Sequence, residues 1–265
     1  MTKREKFEIT LITKEPFRIG GKEDPLRGQE NPVAIVGEKI VVPGPSLKGS
    51  LRSEIEKLLI KNYYDKDTKS WKPGKEGLKP CIPSPEKQLS KDERLLITAG
   101  KYKDIGCHYP CDPKPNKCKN EVHKICPACY LLGANGLNGF ARIPFLYADI
   151  STASELYSAR RDRVTGTVTQ GTNRPYSLVP PGIAFKGTMV ITIKDDVLDC
   201  TIGNKRNLGE ITGGDTWLEQ DNWPMEKIIN DLIIQRIRGI ELLGGYKSKG
   251  CGNVEITVSP EVWRS

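Results

Sequence analysis

Five of the eight cysteines of this 265-residue chain crowd into CHYPCDPKPNKCKNEVHKICPAC, from Cys107 to Cys129, and both histidines, His108 and His123, lie among them. Zinc takes four soft ligands in a tetrahedron, and the CxxC pair Cys126–Cys129 is the short bite that one backbone turn supplies. The stretch predicts a structural Zn2+ held by Cys126, Cys129 and Cys118 together with Cys111 or Cys107, a histidine being able to replace one of them. No general base sits nearby in sequence, and four protein ligands leave no open position for catalysis. The competing reading is a set of free thiols; clustering in a chain with no export signal argues for metal over disulfides. Cys81, Cys200 and Cys251 stand far apart and are left out of the set.

Two other stretches have the residue types of an anion site. In VPGPSLKGSLRSEI, Val42 to Ile55, a Pro-Gly turn delivers a helix whose first turns carry Ser46, Lys48, Gly49 and Arg52. Lys48 and Arg52 are four apart and share a helix face, and unpaired N–H groups at the positive end of the helix dipole add to them, so phosphate is the natural ligand. In LLGGYKSKGCGNVEI, Gly244, Gly245, Gly250 and Gly252 bracket Tyr246, Lys247 and Lys249. Glycine lets the main chain approach a phosphate closely, and successive N–H groups form a concave nest that the lysines reinforce. The loop does not fit GxxxxGK[ST], and GxGxxG is absent, which disfavours a nucleotide-phosphate loop and leaves a polymer backbone open. The competing readings are solvated cations at a helix start and a flexible helix-to-strand turn.

A fourth stretch, SARRDRVTGTVTQGTNRPYSLVPPG, sets Arg160, Arg161, Arg163 and Arg174 against the single acid Asp162. Alternating Thr and Val, Thr165 among them, suggest an extended hairpin, with cations placed to wedge into a nucleic-acid strand. A solvated β-arm used in protein assembly is the alternative.

The elements that must carry these residues follow from periodicity. KFEITLITKEPFRI alternates through Phe7, Ile9 and Leu11 as a half-buried strand, and a second extended run spans Val33 to Val42. Leu47, Leu51, Ile55, Leu58 and Leu59 recur at helical spacing from Leu47 to Ile60, with Ser46 as the expected cap. Residues 63 to 125 lose periodicity and read as an excursion held by metal. A short helix at Pro127 to Leu132, a strand from Phe140 to Ile150, a strand from Ile183 to Ile193, a helix from Pro224 to Leu242 and a strand from Asn253 to Val258 complete the set. Strand, helix, strand, strand, helix, strand is the ferredoxin-like βαββαβ order, an α+β fold that RNA-recognition modules share.

Lys and Arg outnumber Asp and Glu by 41 to 33, a net +8 that suits a polyanionic partner. No apolar run approaches the roughly 20 residues that cross a bilayer, which excludes a membrane protein of the helical kind. MTKREKFEIT has no apolar stretch after its charges, so no signal peptide is expected and the cytoplasm is the expected compartment.

Taken together and in this order, these stretches resemble the RAMP superfamily, above all the repeated backbone (Cas seven-like) subunit of type III CRISPR effector complexes. The matching segments are IGG at 19 to 21, including Gly20 and Gly21; ENPV at 30 to 33; VPGPSLKGSLR; CPACYLLG at 126 to 133; DRVTGTV at 162 to 168; and GGYKSKGCG at 244 to 252. The resemblance implies one RAMP domain over 1–265: a palm core at 5–62, 127–150 and 183–259, a zinc-containing insertion at 63–126 and a thumb hairpin at 151–182. It implies copies of the chain or of homologous RAMP subunits stacked along a guide RNA, with complementary target RNA and other type III effector subunits as further partners. It also implies cleavage of the target RNA by metal-dependent transesterification, with Mg2+ or Mn2+ and an aspartate in the loop before Pro-Val. Glu30 stands at that position, and Asp24 is the second candidate. A cleavage-inactive structural subunit, a stand-alone endoribonuclease that processes repeat RNA and a zinc-containing protein-interaction module are the alternatives.

Overall fold

The structure, a computed structural model, describes residues 2–21, 32–84, 88–104, 106–107, 125–172, 174–206 and 215–264. Strand β1 (Lys3–Thr13) buries Phe7, Ile9 and Leu11 on one face, while on the other Lys6 and Glu8 are exposed and Thr10 and Ile12 half-buried, as its period-2 pattern requires. A tight hairpin follows, β2 (Ile35–Val36) and β3 (Lys39–Val42), turning through Gly37 at φ 62°. Helix α1 (Gly44–Tyr63) starts earlier than expected: Pro43 occupies the N-cap, and Ser46 lies inside the first turn rather than capping it. Proline pre-sets the φ of a helix start, and this is the stronger local signal.

The stretch from 63 to 125 is not without regular structure. It holds a ribbon of β4 (Tyr64–Asp65) and β5 (Ser70–Trp71), and helix α2 (Lys91–Thr98). A capping box starts α2: the Ser90 hydroxyl accepts from the Glu93 N–H at 3.2 Å, and the Glu93 carboxylate accepts from the Ser90 N–H at 2.7 Å. Ser90-x-x-Glu93 was thus a legible start signal amid lysine- and proline-rich surroundings.

Helix α3 (Pro127–Leu132) falls where expected. The single strand foreseen from Phe140 to Ile150 is two, β6 (Ala141–Arg142) and β7 (Leu146–Ala148), interrupted at Pro144, which has no N–H to give a ladder. Strands β8 (Ser154–Ser158) and β9 (Arg174–Leu178) form a separate two-stranded arm. Its root is tied to β1 and to the segment just after it: Phe17 and Val179 exchange backbone hydrogen bonds at 2.9 and 2.8 Å, and the buried Thr13 hydroxyl of β1 donates to the Pro180 carbonyl at 2.8 Å. After β10 (Ala184–Asp195) and β11 (Cys200–Thr201), helix α4 is built from Met225–Lys227, a π-type stretch Ile228–Ile234 and Gln235–Arg238. It ends before the expected Leu242. Strand β12 (Val254–Ser259) closes the chain's regular structure.

The central sheet is antiparallel, with strand order β12-β1-β10-β7-β3-β2 and with β6 and β11 also paired to β10. Phe7, Ile9 and Leu11 of β1, Phe185, Met189 and Ile191 of β10, and Val254, Ile256 and Val258 of β12 form one core with Leu47, Leu51, Ile55 and Leu59 of α1 and the isoleucines of α4. Truncating one of these buried leucines to alanine costs about 2–5 kcal/mol. The result is a mixed α/β fold with few helices, in which α1 is held against the sheet and its first turns are left for the sites below. Among the described residues no helix is long and apolar enough to cross a membrane.

Candidate nucleic-acid interface and metal centre

Three segments far apart in sequence meet in a cleft of about 340 Å³ lined by Ile19, Gly20, Ser46, Ser50, Leu243, Gly244, Gly245 and Lys247. Backbone hydrogen bonds hold its walls together: Gly245 N–H to the Arg18 carbonyl at 2.8 Å, Gly252 N–H to Pro16 at 3.0 Å, and Ala34 N–H to Ile19 at 2.8 Å. Gly244 sits at φ +88°, a conformation that a side chain resists. Next to it, Tyr246 adopts a left-handed backbone, φ 59° and ψ 28°. Its ring lies 4.8 Å from the Arg18 guanidinium, 4.4 Å from the Lys249 ammonium and edge-on to Tyr176 of β9 at 5.2 Å. The glycine loop is therefore braced against the root of the arm. Lys247, Lys249 and Gly250 are exposed.

Helix α1 divides two clefts. Ser46 and Ser50 open to the one just described, whereas Lys48, Gly49 and Arg52 line a second of about 770 Å³, together with Arg142, Phe145 and the turn from Gly133 to Gly139. Lys48 is exposed and forms no ion pair with a described residue. The helix start offers fewer free donors than its position suggests: Pro45 has no N–H, and the N–H groups of Ser46 and Leu47 both bond to the Pro43 carbonyl. Ser50 and Arg142 were not foreseen, because only the fold shows which turn of α1 and which strand end face a cleft.

Arg52 turns inward. Its two terminal nitrogens lie 3.5 and 3.6 Å from the sulfur of Cys129, one of them also donates to the Gly133 carbonyl at 3.3 Å, and its side chain is 12% exposed. Burial works against its charge, but the Cys129, Cys126 and Cys81 sulfurs outweigh burial and raise its pKa. Glu56, one turn on, stands 3.8 Å from Arg52, too far for a hydrogen bond, and accepts one from the Tyr102 hydroxyl at 3.2 Å. Burial pushes its carboxyl up to about 7 against the opposing pull of Arg52.

The sulfurs of Cys81, Cys107, Cys126 and Cys129 converge, all within 4.8 Å of one another. Cys81 lies 3.4 Å from Cys129 and 3.8 Å from Cys126, none of the four is in a disulfide, and three are buried. Four thiolates about 2.3 Å from a tetrahedral zinc stand roughly 3.8 Å apart, so the donor set and its spacing fit such an ion. Cys107, Cys126 and Cys129 were foreseen. Cys81 was not; it stands beside Cys107, whose N–H reaches the Cys81 sulfur at 3.4 Å.

Arg160, Arg161, Arg163 and Thr165 are all exposed at the far end of the arm, and the arginines form no ion pair with a described residue. Asp162 shapes the tip by accepting from the N–H groups of Thr165 and Val164 at 2.9 and 2.8 Å, which lowers its pKa. Asp24, Glu30, Cys111, Cys118, His108 and His123 lie outside the described residues. The residues flanking Asp24 and Glu30 in sequence are described: the Gly21 N–H bonds to the Pro32 carbonyl at 2.9 Å, next to Gly20 on the wall of the first cleft.

The family model of the RAMP superfamily matches residues 10–255. The chain belongs to the RAMP superfamily. No curated protein matches it. Among solved structures, a chain of a Type IV-B CRISPR Complex is similar at a TM-score of 0.49 and 11% identity, over 98% of this chain and 93% of that one.

Proposed function

We propose that this protein is a guide-RNA-binding backbone subunit of a type III CRISPR effector complex, holding guide RNA and target RNA. The observation that carries this reading is the first cleft, where Gly20, Ser46, Gly244, Gly245 and Lys247 converge although they lie in three distant segments. A glycine loop with exposed lysines, facing helix-borne hydroxyls, suits a sugar–phosphate backbone. Lys48 on the opposite side of α1 and the arginines of the arm extend cationic surface beyond that cleft, consistent with a polymer rather than a mononucleotide. Strand order β12-β1-β10-β7 supports the ferredoxin-like palm, the β8–β9 arm the thumb hairpin, and the four cysteines a structural Zn2+ that fixes the inserted segment. The cytoplasm is the compartment this reading requires.

The chain is also proposed to cleave target RNA with Mg2+ or Mn2+, through Glu30 or Asp24. Glutamate keeps the charge of aspartate but adds a methylene, and a misplacement of about 1 Å costs about a hundredfold where in-line geometry decides the rate. That substitution favours the second reading, a cleavage-inactive subunit of the same kind of complex.

Purification of the intact protein, followed by extraction and sizing of its nucleic acid, tests the binding reading. A discrete short RNA is expected, and its affinity should fall steeply between about 50 and 200 mM salt. Absence of bound RNA together with salt-independent binding would leave a protein-interaction module. Target cutting by the assembled complex with Mg2+, compared for wild type, Glu30→Ala and Asp24→Ala, separates the two cleavage readings.

A further inference from the structure

We infer that Arg52 is the charge-balancing residue of the four-cysteine centre: it retains a divalent metal there and fixes α1 to it. The inference rests on the metal reading of that centre. A divalent ion among four thiolates leaves two net negative charges in a site where three of the four cysteines are buried, and buried charge without a partner is costly. Backbone N–H groups offset part of it, from Cys107 to the Cys81 sulfur at 3.4 Å and from Cys126 to the Cys107 sulfur at 3.3 Å. Arg52 adds a full positive charge, with both terminal nitrogens at 3.5 and 3.6 Å from the Cys129 sulfur.

A third hydrogen bond of the guanidinium goes to the carbonyl of Gly133, the residue that ends α3, the helix carrying Cys129. One planar group thus spans a ligand sulfur and the end of the helix that presents it, a geometry that lysine's single ammonium does not reproduce. Arg52 belongs to the same helix as Ser46, Ser50 and Lys48. By gripping the centre it sets the rotation of α1, and with it which side chains face each cleft.

The test is Co2+ titration of the metal-stripped full chain, read by thiolate charge-transfer and tetrahedral ligand-field bands, then Zn2+ competition. Wild type should give the tetrahedral thiolate spectrum. Arg52→Met should bind about 10–100-fold more weakly, as loss of a partner outside the ligand set does, and Arg52→Lys should fall between. Lys57→Ala, an exposed cation on the same helix, should match wild type. Equal affinity of wild type and Arg52→Met would overturn the inference. A wild type lacking the tetrahedral spectrum would instead overturn the metal reading on which it rests. Should Arg52→Met not fold, Arg52→Gln, which keeps N–H donors without the charge, decides the matter by the same comparison.

Discussion

The backbone of Gly244 passes Arg18 so closely that a Cβ on Gly244 would stand 2.2 Å from the Arg18 carbonyl oxygen, and Gly244 holds φ +88° besides. Both the contact and the conformation exclude a side chain. Gly244→Ala should therefore destabilise the fold by about 1–3 kcal/mol, measurable as a lower urea midpoint, and should weaken RNA binding by opening the cleft wall. An unchanged midpoint would show that the loop does not depend on this approach.

The convergence of four sulfurs singles out Cys81 from the other solitary cysteines. Metal content of the purified protein is expected to fall as far in Cys81→Ser as in Cys126→Ser, while Cys200→Ser and Cys251→Ser retain it. Chelation of the wild type should lower its thermal midpoint, because metal affinity contributes directly to folding.

Lys48 and Lys247 face different clefts, yet both are exposed cations on the proposed path of one RNA backbone. Each alanine substitution should weaken binding alike for unrelated RNA sequences. Each should also make the dependence of log affinity on log salt shallower by about 0.7, the loss of one phosphate contact to a single strand. A lysine whose removal leaves the salt slope intact does not touch phosphate.

Glu56 supplies a pH dependence whose sign follows from its environment. Its carboxyl is raised in the folded protein from an ordinary value near 4.5 to about 7 by burial, against the attraction of Arg52. Below about pH 4.5 the group is protonated folded or unfolded and contributes nothing. As pH rises toward 7 the unfolded chain releases the proton first, so folding loses up to about 3 kcal/mol across that window. Glu56→Gln lacks this term. Denaturation of variant and wild type in parallel should show the variant gaining on wild type from pH 5 to 7, with no further gain above about pH 8.

What the sequence determined by itself were features whose cause is local. β1, α1, α3 and β12 were legible because alternation and helical spacing report which side of an element is apolar, and the CxxC pair because two ligands fit within one turn. The glycine loop declared its lysines in a single segment. Tertiary structure alone decided what meets what. Cys81 precedes Cys107 by 26 residues and Cys126 by 45, and no periodicity links them; the packing of the chain after α1 does. Lys48 and Arg52 share a helix face by spacing, as expected, yet one side chain stays in solvent while the other is drawn to the Cys129 sulfur. Spacing fixes direction around a helix axis, but whether a cation meets water or a buried cysteine sulfur depends on what the rest of the chain places beside it.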